Sequence, residues 1–458
     1  MLPASFLNSL QNTPGFQLES FKRVHETSQA ITSIRRNQFK KWDTGAHSFL
    51  HLNDSETNVE TVPWCRNAFY LKERPSFVLD PLWHAGAYYV QEASSMFVQY
   101  ILEQLKIPSQ SVVIDVCAAP GGKSTLLANY FYDGLIISNE IIKSRNAILV
   151  ENLTKWGADN TVVTQNDPSH FASLPQFFDL MLIDAPCSGS GLFRKDPDAI
   201  KEWSEENVQH CSLRQQRIVE ETAAALKQGG YLIYSTCSYS MEEDEKIMDH
   251  IASIPGFQNV SIPIPASWNI VTTESAIHHA IGYRFYPDQV KGEGFFISIF
   301  QKIEDTSNYY STAHFNFTPL TKNEINVIQN HFELPQGYQL ISHQSECIAI
   351  PSKYENELRV LLSHWYVKKM GMSIGEIKGK DLIPAHQLAM SYWATLPYQR
   401  HELNIKEALD YLRRASLQME GPKGWTLMTF QNIGLGWAKI LPQRCNNYYP
   451  NEWRILNY

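Results

Sequence analysis

The sequence has no Cys-x-x-Cys pair among its seven cysteines, which are odd in number and scattered. That argues against both a disulfide framework and a zinc ribbon, so reduced thiols, no metal and a cytoplasmic setting are expected. Nothing approaches the roughly 18 uninterrupted apolar residues of a membrane span. The opening stretch MLPASFLNSLQNTPGF has neither a basic n-region nor a continuous apolar core, so a soluble, unsecreted chain is expected. Repeats and low-complexity tracts are absent, and without a heptad pattern the expected state is a monomer. Basic charge is also short: 39 Lys plus Arg against 47 Asp plus Glu leave a net charge of −8, unlike the basic surfaces that meet nucleic acids. The shortage is local. Residues 101–300 carry 14 basic and 24 acidic side chains, whereas residues 351–458 carry 14 and 9.

What is present is 458 residues, enough for about three domains. From residue 111 short apolar runs (112–116, 134–137, 161–164, 180–183, 231–234, 295–300) alternate with helical stretches. This pattern predicts an α/β fold with a doubly wound parallel sheet, in which ligands bind beyond the carboxyl ends of the strands. Upstream, residues to about 105 break at Pro63, Pro75 and Pro81 and read as a smaller α+β unit. Residues 304–314 read as a linker, and short strands are predicted at 425–430 and 436–440.

After the first predicted strand stands Cys117-Ala118-Ala119-Pro120-Gly121-Gly122-Lys123. Small residues at a helix start let a ligand approach the backbone and its free N–H groups. Cys117 occupies the place of the first Walker A glycine, and G-x-G-x-x-G is missing, so neither a phosphate loop nor a dinucleotide fingerprint is present. The loop suits the amino-acid half of S-adenosylmethionine. Glu140, at the end of the second strand, is placed for the ribose hydroxyls. Asp167, after the third, is placed for the adenine amino group.

Asp184 and Cys187 follow the fourth strand and Cys237 the fifth. Cys65, Cys211, Cys347 and Cys445 are expected to be ordinary buried thiols, whereas Cys187 and Cys237 sit in polar, small-residue loops at the presumed cofactor edge. A thiolate is a strong nucleophile. Added to C6 of a pyrimidine, it makes C5 able to accept a methyl group. Amino-directed methyltransferases carry an Asp/Asn-Pro-Pro-Tyr/Phe loop instead, and here that position reads Asp184-Ala185-Pro186-Cys187. The residues favour carbon methylation without separating the roles of the two cysteines.

The set DVCAAPGGK, NE, QND, DAPCSGSG, YSTCSYS and GEGFF resembles the Sun/Nop family of RNA cytosine-C5 methyltransferases. The resemblance extends upstream to Ile34-Arg35-Arg36-Asn37 and to YVQEASSM at 89–96, and downstream to RCNNYYPNEWR at 444–454. The last is similar to the PUA-like module of the RsmF-like branch, which methylates 16S ribosomal RNA. The resemblance implies a Rossmann-like catalytic domain with S-adenosylmethionine as cofactor. It assigns Cys237 as covalent nucleophile, Cys187 to product release, and Asp184 and Lys123 to the catalytic surroundings. Residues 117–123 with Glu140, Asp167 and Asp184 would bind the cofactor. RNA of the small ribosomal subunit is the implied partner, with neither DNA nor membrane. A transfer-RNA methyltransferase is one alternative. A non-catalytic assembly factor is another, disfavoured because every cofactor and thiol position is intact.

The implied organisation is an N-terminal α+β domain over 1–108, the catalytic domain over 109–302, a small α+β domain over 303–383 and a PUA-like domain over 384–458. Arg194, Lys195 and Arg284 are candidate phosphate contacts around a flipped nucleotide. Arg413, Arg414, Lys439 and Arg444, interleaved with tail aromatics, are candidates for the wider RNA surface.

Overall fold

A computed structural model describes residues 2–27, 30–41, 60–304, 314–331, 333–393, 398–417 and 421–456. Nearly all of the linker expected over 304–314 lies outside them. After helices Ala4–Ser9 and Leu18–Thr27, strands β1 (Thr32–Arg36), β2 (Ala68–Leu71) and β3 (Tyr88–Val90) form an antiparallel sheet with β1 in the middle.

The alternating centre folds as its pattern predicts. Strands β4 (Val112–Asp115), β5 (Leu135–Asn139), β6 (Thr161–Thr164), β7 (Phe178–Asp184) and β8 (Leu226–Thr236) lie parallel in the order β6-β5-β4-β7-β8. Both faces are covered, so the strands are apolar throughout rather than alternating. Successive residues point to opposite sides: Val112 and Ile114 enter one core and Val113 the other. The remaining strands are β9 (Phe257–Asn259), β10 (Val271–Glu274), β11 (Ile281–Phe285) and β12 (Phe295–Lys302). The strand expected at 295–300 is present, but it runs antiparallel to β8, with β11 and then β10 outside it. The sheet is therefore mixed. The 286–294 connection holds no helix, and a return that short joins antiparallel strands, since a parallel crossover needs a dozen residues or more.

Downstream come β13 (Thr318–Pro319), β14 (Tyr338–His343), β15 (Glu346–Pro351), β16 (Val367–Met370), β17 (Met372–Lys378) and β18 (Asp381–Pro384). Five of them form a second sheet, while β16 leaves it to pair with β6 on the edge of the central sheet. A last sheet holds β19 (Gln399–Glu402), β20 (Gly424–Phe430), β21 (Ile433–Leu441) and β22 (Arg444–Asn447). Leu435 on β21, Tyr411 on helix Ile405–Leu412 and Tyr449 beyond β22 share one core with Ile34, Leu82 and Tyr88 of the N-terminal unit. The first and last parts of the chain are thus packed together.

The Ile34-Arg35-Arg36-Asn37 segment anchors the N-terminal unit to the catalytic helices. Asn37 Nδ2 donates to Trp156 O at 2.9 Å and Lys40 Nζ to Lys155 O at 2.6 Å. Both satisfy carbonyls at the end of helix Lys143–Trp156. Arg35 is buried, donating to Gln91 Oε1 at 3.0 Å, Thr125 Oγ1 at 2.6 Å and Gly122 O at 3.2 Å, with its guanidinium 4.8 Å from the Trp156 ring. It thereby bolts β1 to the start of helix Gly122–Tyr130. Arg35→Ala would strand those acceptors and lower the free energy of unfolding by about 3 kcal/mol; urea denaturation followed by tryptophan fluorescence measures it.

Candidate active site

The order of the parallel strands reverses between β4 and β7, the point at which a ligand crevice opens in such a sheet. Gly121 takes φ 112° as it leads into helix Gly122–Tyr130, a conformation that glycine adopts freely. Helix Lys143–Trp156 grips the loop's carbonyls: Arg145 donates to Ala119 O and Asn152 to Pro120 O, each at 2.8 Å. A cleft of about 320 Å³ opens over this loop, and Asp115, Lys123, Asp184, Cys237 and Phe295 all reach it.

Lys123 Nζ lies 2.6 Å from Asp184 Oδ2 and 5.2 Å from the centre of the Phe295 ring. Burial disfavours its charge, but Asp184 beside it and Asp115 nearby hold the ammonium above its ordinary pKa. Asp184 Oδ1 accepts from Ser235 Oγ at 2.8 Å, so both its oxygens are engaged. Asp115, not singled out from the sequence, is buried at the end of β4. Its Oδ2 accepts from Ser124 Oγ at 2.7 Å, while Oδ1 has no partner among the described residues. Burial pushes its pKa up to about 7. Its sequence signal was the acidic residue that interrupts an otherwise apolar strand.

The two cysteines meet. Strands β7 and β8 run parallel with Asp184 beside Ser235, so their loops leave the sheet side by side, and the Sγ atoms of Cys187 and Cys237 stand 3.1 Å apart. Gly191 N–H donates to Cys237 O at 2.8 Å and Gly294 N–H to Gly191 O at 3.2 Å. A Cβ on Gly191 would lie 2.4 Å from Gly294 O, and one on Gly294 would lie 2.3 Å from the Tyr239 ring. Only glycine permits this three-loop contact. The Cys187 thiol is pushed well above its usual pKa by its contact with Cys237, by burial and by the charge of Glu243.

Glu140 and Asp167 stand at the ends of β5 and β6, apart from the lining of the cleft. Glu140 is buried, with one oxygen accepting from Ile142 N–H at 2.9 Å and the other 3.6 Å from Arg145. Asp167 accepts from Ser169 N–H at 3.1 Å and Ser169 Oγ at 2.8 Å, and pairs with Arg217 at 2.8 Å. Partial burial raises its pKa, but Ser169 and Arg217 outweigh that and hold the carboxyl below the usual range. Next to it, Asn166 bonds the N–H and carbonyl of Tyr366, which joins the small α+β module to the cofactor edge.

Two expected phosphate contacts are corrected. Arg284 is buried on β11, with Nε 2.7 Å from Glu245 Oε1, Nη2 3.0 Å from Asp244 Oδ2 and Nη1 donating to Tyr239 O at 3.0 Å. Arg194 has a side chain only 3% exposed, 3.4 Å from Glu293. A local run of charge does not show which carboxylate will fold back onto an arginine. Lys195 and Arg444 are exposed, as is Arg414, whose guanidinium also donates to Tyr449 O and, at 3.4 Å, to Asn447 O. Arg413 is half-buried, 3.7 Å from Asp410, and Lys439 lies 5.1 Å from the centre of the Trp425 ring.

Three family models match this chain. They are 16S rRNA methyltransferase RsmB/F over residues 102–301, the N-terminal domain of 16S rRNA methyltransferase RsmF over 2–93, and the methyltransferase RsmF PUA domain over 398–455. The ribosomal RNA small subunit methyltransferase F of Shewanella woodyi is 30% identical over 98% of this chain and 96% of its own length. The chain belongs to the 16S rRNA methyltransferase F family. Its Shewanella loihica member is 29% identical over 98% of this chain and 95% of that one. The structure of NSun6 from Pyrococcus horikoshii with SFG aligns with TM-score 0.55 at 20% identity, over 66% of this chain and 99% of that one, a likeness of fold. As a member of this methyltransferase F family, the protein is an RNA methyltransferase with a Rossmann-like catalytic domain, a distinct N-terminal domain and a C-terminal PUA-like domain.

Because Arg284 is a buried ion-pair residue, Arg284→Ala should lower stability by about 3–5 kcal/mol by leaving Asp244 and Glu245 unpaired. The salt dependence of RNA binding by the folded variant should stay that of the parent, as thermal melts and filter binding at several salt concentrations would show.

Proposed function

We propose that the protein methylates C5 of a cytosine in 16S ribosomal RNA through a covalent bond between Cys237 and C6, with S-adenosylmethionine as methyl donor. The observation that carries the reading is the pair of thiols in contact beside the Lys123–Asp184 ion pair, at the switch point of the sheet. The ribosomal substrate is supported by the three family models and by the names of the curated relatives.

The cleft suits the cofactor. The unpartnered Oδ1 of Asp115 is an acceptor for an ammonium group, and residues 117–123 present backbone at a helix start. Glu140 would meet the ribose, and Asp167 the adenine. When bound, S-adenosylmethionine supplies an electrophilic methyl on a sulfonium.

Target cytosines in structured RNA must leave their stack to be attacked. The Sγ of Cys237 adds to C6, and the electrons of the C5–C6 double bond make C5 nucleophilic. The Lys123 ammonium lines the same cleft as Cys237. Asp184, held by Lys123 and Ser235, is positioned to hydrogen-bond the ring. Once C5 is methylated, loss of its proton restores the double bond and expels the Cys237 thiolate. Cys187, in contact with the departing sulfur, assists that release.

The exposed Lys195, Arg414 and Arg444 are assigned to the RNA backbone. The C-terminal sheet shares a core with the N-terminal unit, so point changes isolate its charges more cleanly than truncation at 384. Replacing Arg414 and Arg444 by Ala should flatten the slope of log affinity against log salt by about 0.7–0.9 per lost phosphate contact, with cofactor affinity unchanged by calorimetry. For the chemistry, Cys237→Ala should yield no 5-methylcytosine. Cys187→Ala should accumulate a protein–RNA adduct that survives denaturing electrophoresis. Normal turnover by Cys237→Ala would overturn the nucleophile assignment.

A further inference from the structure

Behind the two thiols lies a carboxyl group with no part in the chemistry described so far. Glu243 is fully buried. It accepts hydrogen bonds from Ser188 N–H at 2.8 Å, Ser188 Oγ at 2.5 Å, Ser238 Oγ at 2.6 Å and Gln215 Nε2 at 3.3 Å. Ser188 adjoins Cys187 and Ser238 adjoins Cys237, so one side chain holds both cysteine loops. Gln215 extends the arrangement, since its Nε2 also donates to Pro186 O at 3.0 Å. All four groups directed at Glu243 are donors, the set that suits an ionised carboxylate. Burial raises its pKa, and these hydrogen bonds offset only part of the rise.

We propose that Glu243 is a positioning residue for methyl transfer, which locks the two cysteine loops in contact and keeps a negative charge beside Cys187. The assignment rests on the reading of Cys237 as nucleophile. The two thiols then face opposite charges. Lys123 lines the cleft with Cys237, and Glu243 holds the serine next to Cys187 and its charge raises the Cys187 pKa. Other titratable groups around the pair include Asp184 on β7, Asp115 on β4, Tyr234 on β8 and Cys211 on helix Glu205–Thr222. A carboxylate beside Cys187 keeps that thiol protonated. The asymmetry gives a physical reason for the division of labour between two cysteines that look alike in sequence.

The test is the pH dependence of iodoacetamide alkylation at each cysteine in the full-length protein, read by peptide mass spectrometry. In Glu243→Gln the Cys187 profile should move to lower pH, so that at neutral pH this thiol is alkylated about tenfold faster than in the parent. The Cys237 profile, recorded in the same sample, serves as the reference. Glu243→Asp, which keeps the charge but shortens the reach, should leave the Cys187 profile in place while kcat falls at least tenfold. KM for S-adenosylmethionine should be unchanged in both. If Glu243→Gln alters neither the Cys187 profile nor kcat, the proposal is overturned. Should Glu243→Gln not fold, Ser188→Ala and Ser238→Ala each remove one donor, and wild-type kcat in both would overturn it equally. The alkylation readout needs no methyl transfer, so it decides on Glu243 even if Cys237→Ala proves active.

Discussion

The site depends on one constraint, the parallel register of β7 and β8, which sets Asp184 beside Ser235. Two strands in register deliver their loops to the same edge of the sheet, and the backbone bond from Gly191 to Cys237 closes them together. The 3.1 Å contact between thiols follows from that closure. So does the requirement for glycine at 191 and 294, where any side chain would strike a neighbouring loop. The Glu243 clamp lies on the far side of the same junction and ties the serine next to each cysteine.

Around this junction, charge is used inwardly. Arg35, Arg194 and Arg284 are buried, and each holds structure together: Arg35 by hydrogen bonds to the cofactor-loop helix, the other two by ion pairs with carboxylates. The acidic excess of the catalytic region partly reflects these pairings. Asp244 and Glu245 serve Arg284, and Glu243 serves the cysteine loops. Part of the negative charge behind the net −8 is thus folded away from the surface. Exposed basic residues such as Arg414 and Arg444 stand on the C-terminal module, away from those carboxylates.

The additional modules are not appendages. Strand β16 completes the edge of the central sheet, and Tyr366 just before it is bonded to Asn166 at the cofactor edge. The C-terminal sheet shares its core with the N-terminal unit, and Lys40 and Asn37 of that unit cap the helix whose Arg145 and Asn152 hold the cofactor loop. Hydrogen bonds and packed side chains thus link the N- and C-terminal modules to the loop at the start of helix Gly122–Tyr130.

What the sequence determined by itself was local. Apolar runs of strand length separated by helical stretches specify the parallel core, because both faces of such strands must be buried. Small residues after β4 mark the proposed cofactor loop, and cysteines after β7 and β8 the proposed reactive groups, since position along a strand is enough to place a residue at its carboxyl end. Only the tertiary structure decided what depends on partners distant in sequence. It turned β12 antiparallel and recruited β16 from two hundred residues away. It withdrew Arg284 and Arg194 from the surface, left an Asp115 oxygen without a partner among the described residues, and set Glu243 behind both thiols. A side chain's type and neighbours are written along the chain. Which buried group satisfies it is settled only when loops from separate strands are packed together and each desolvated charge must find its partner.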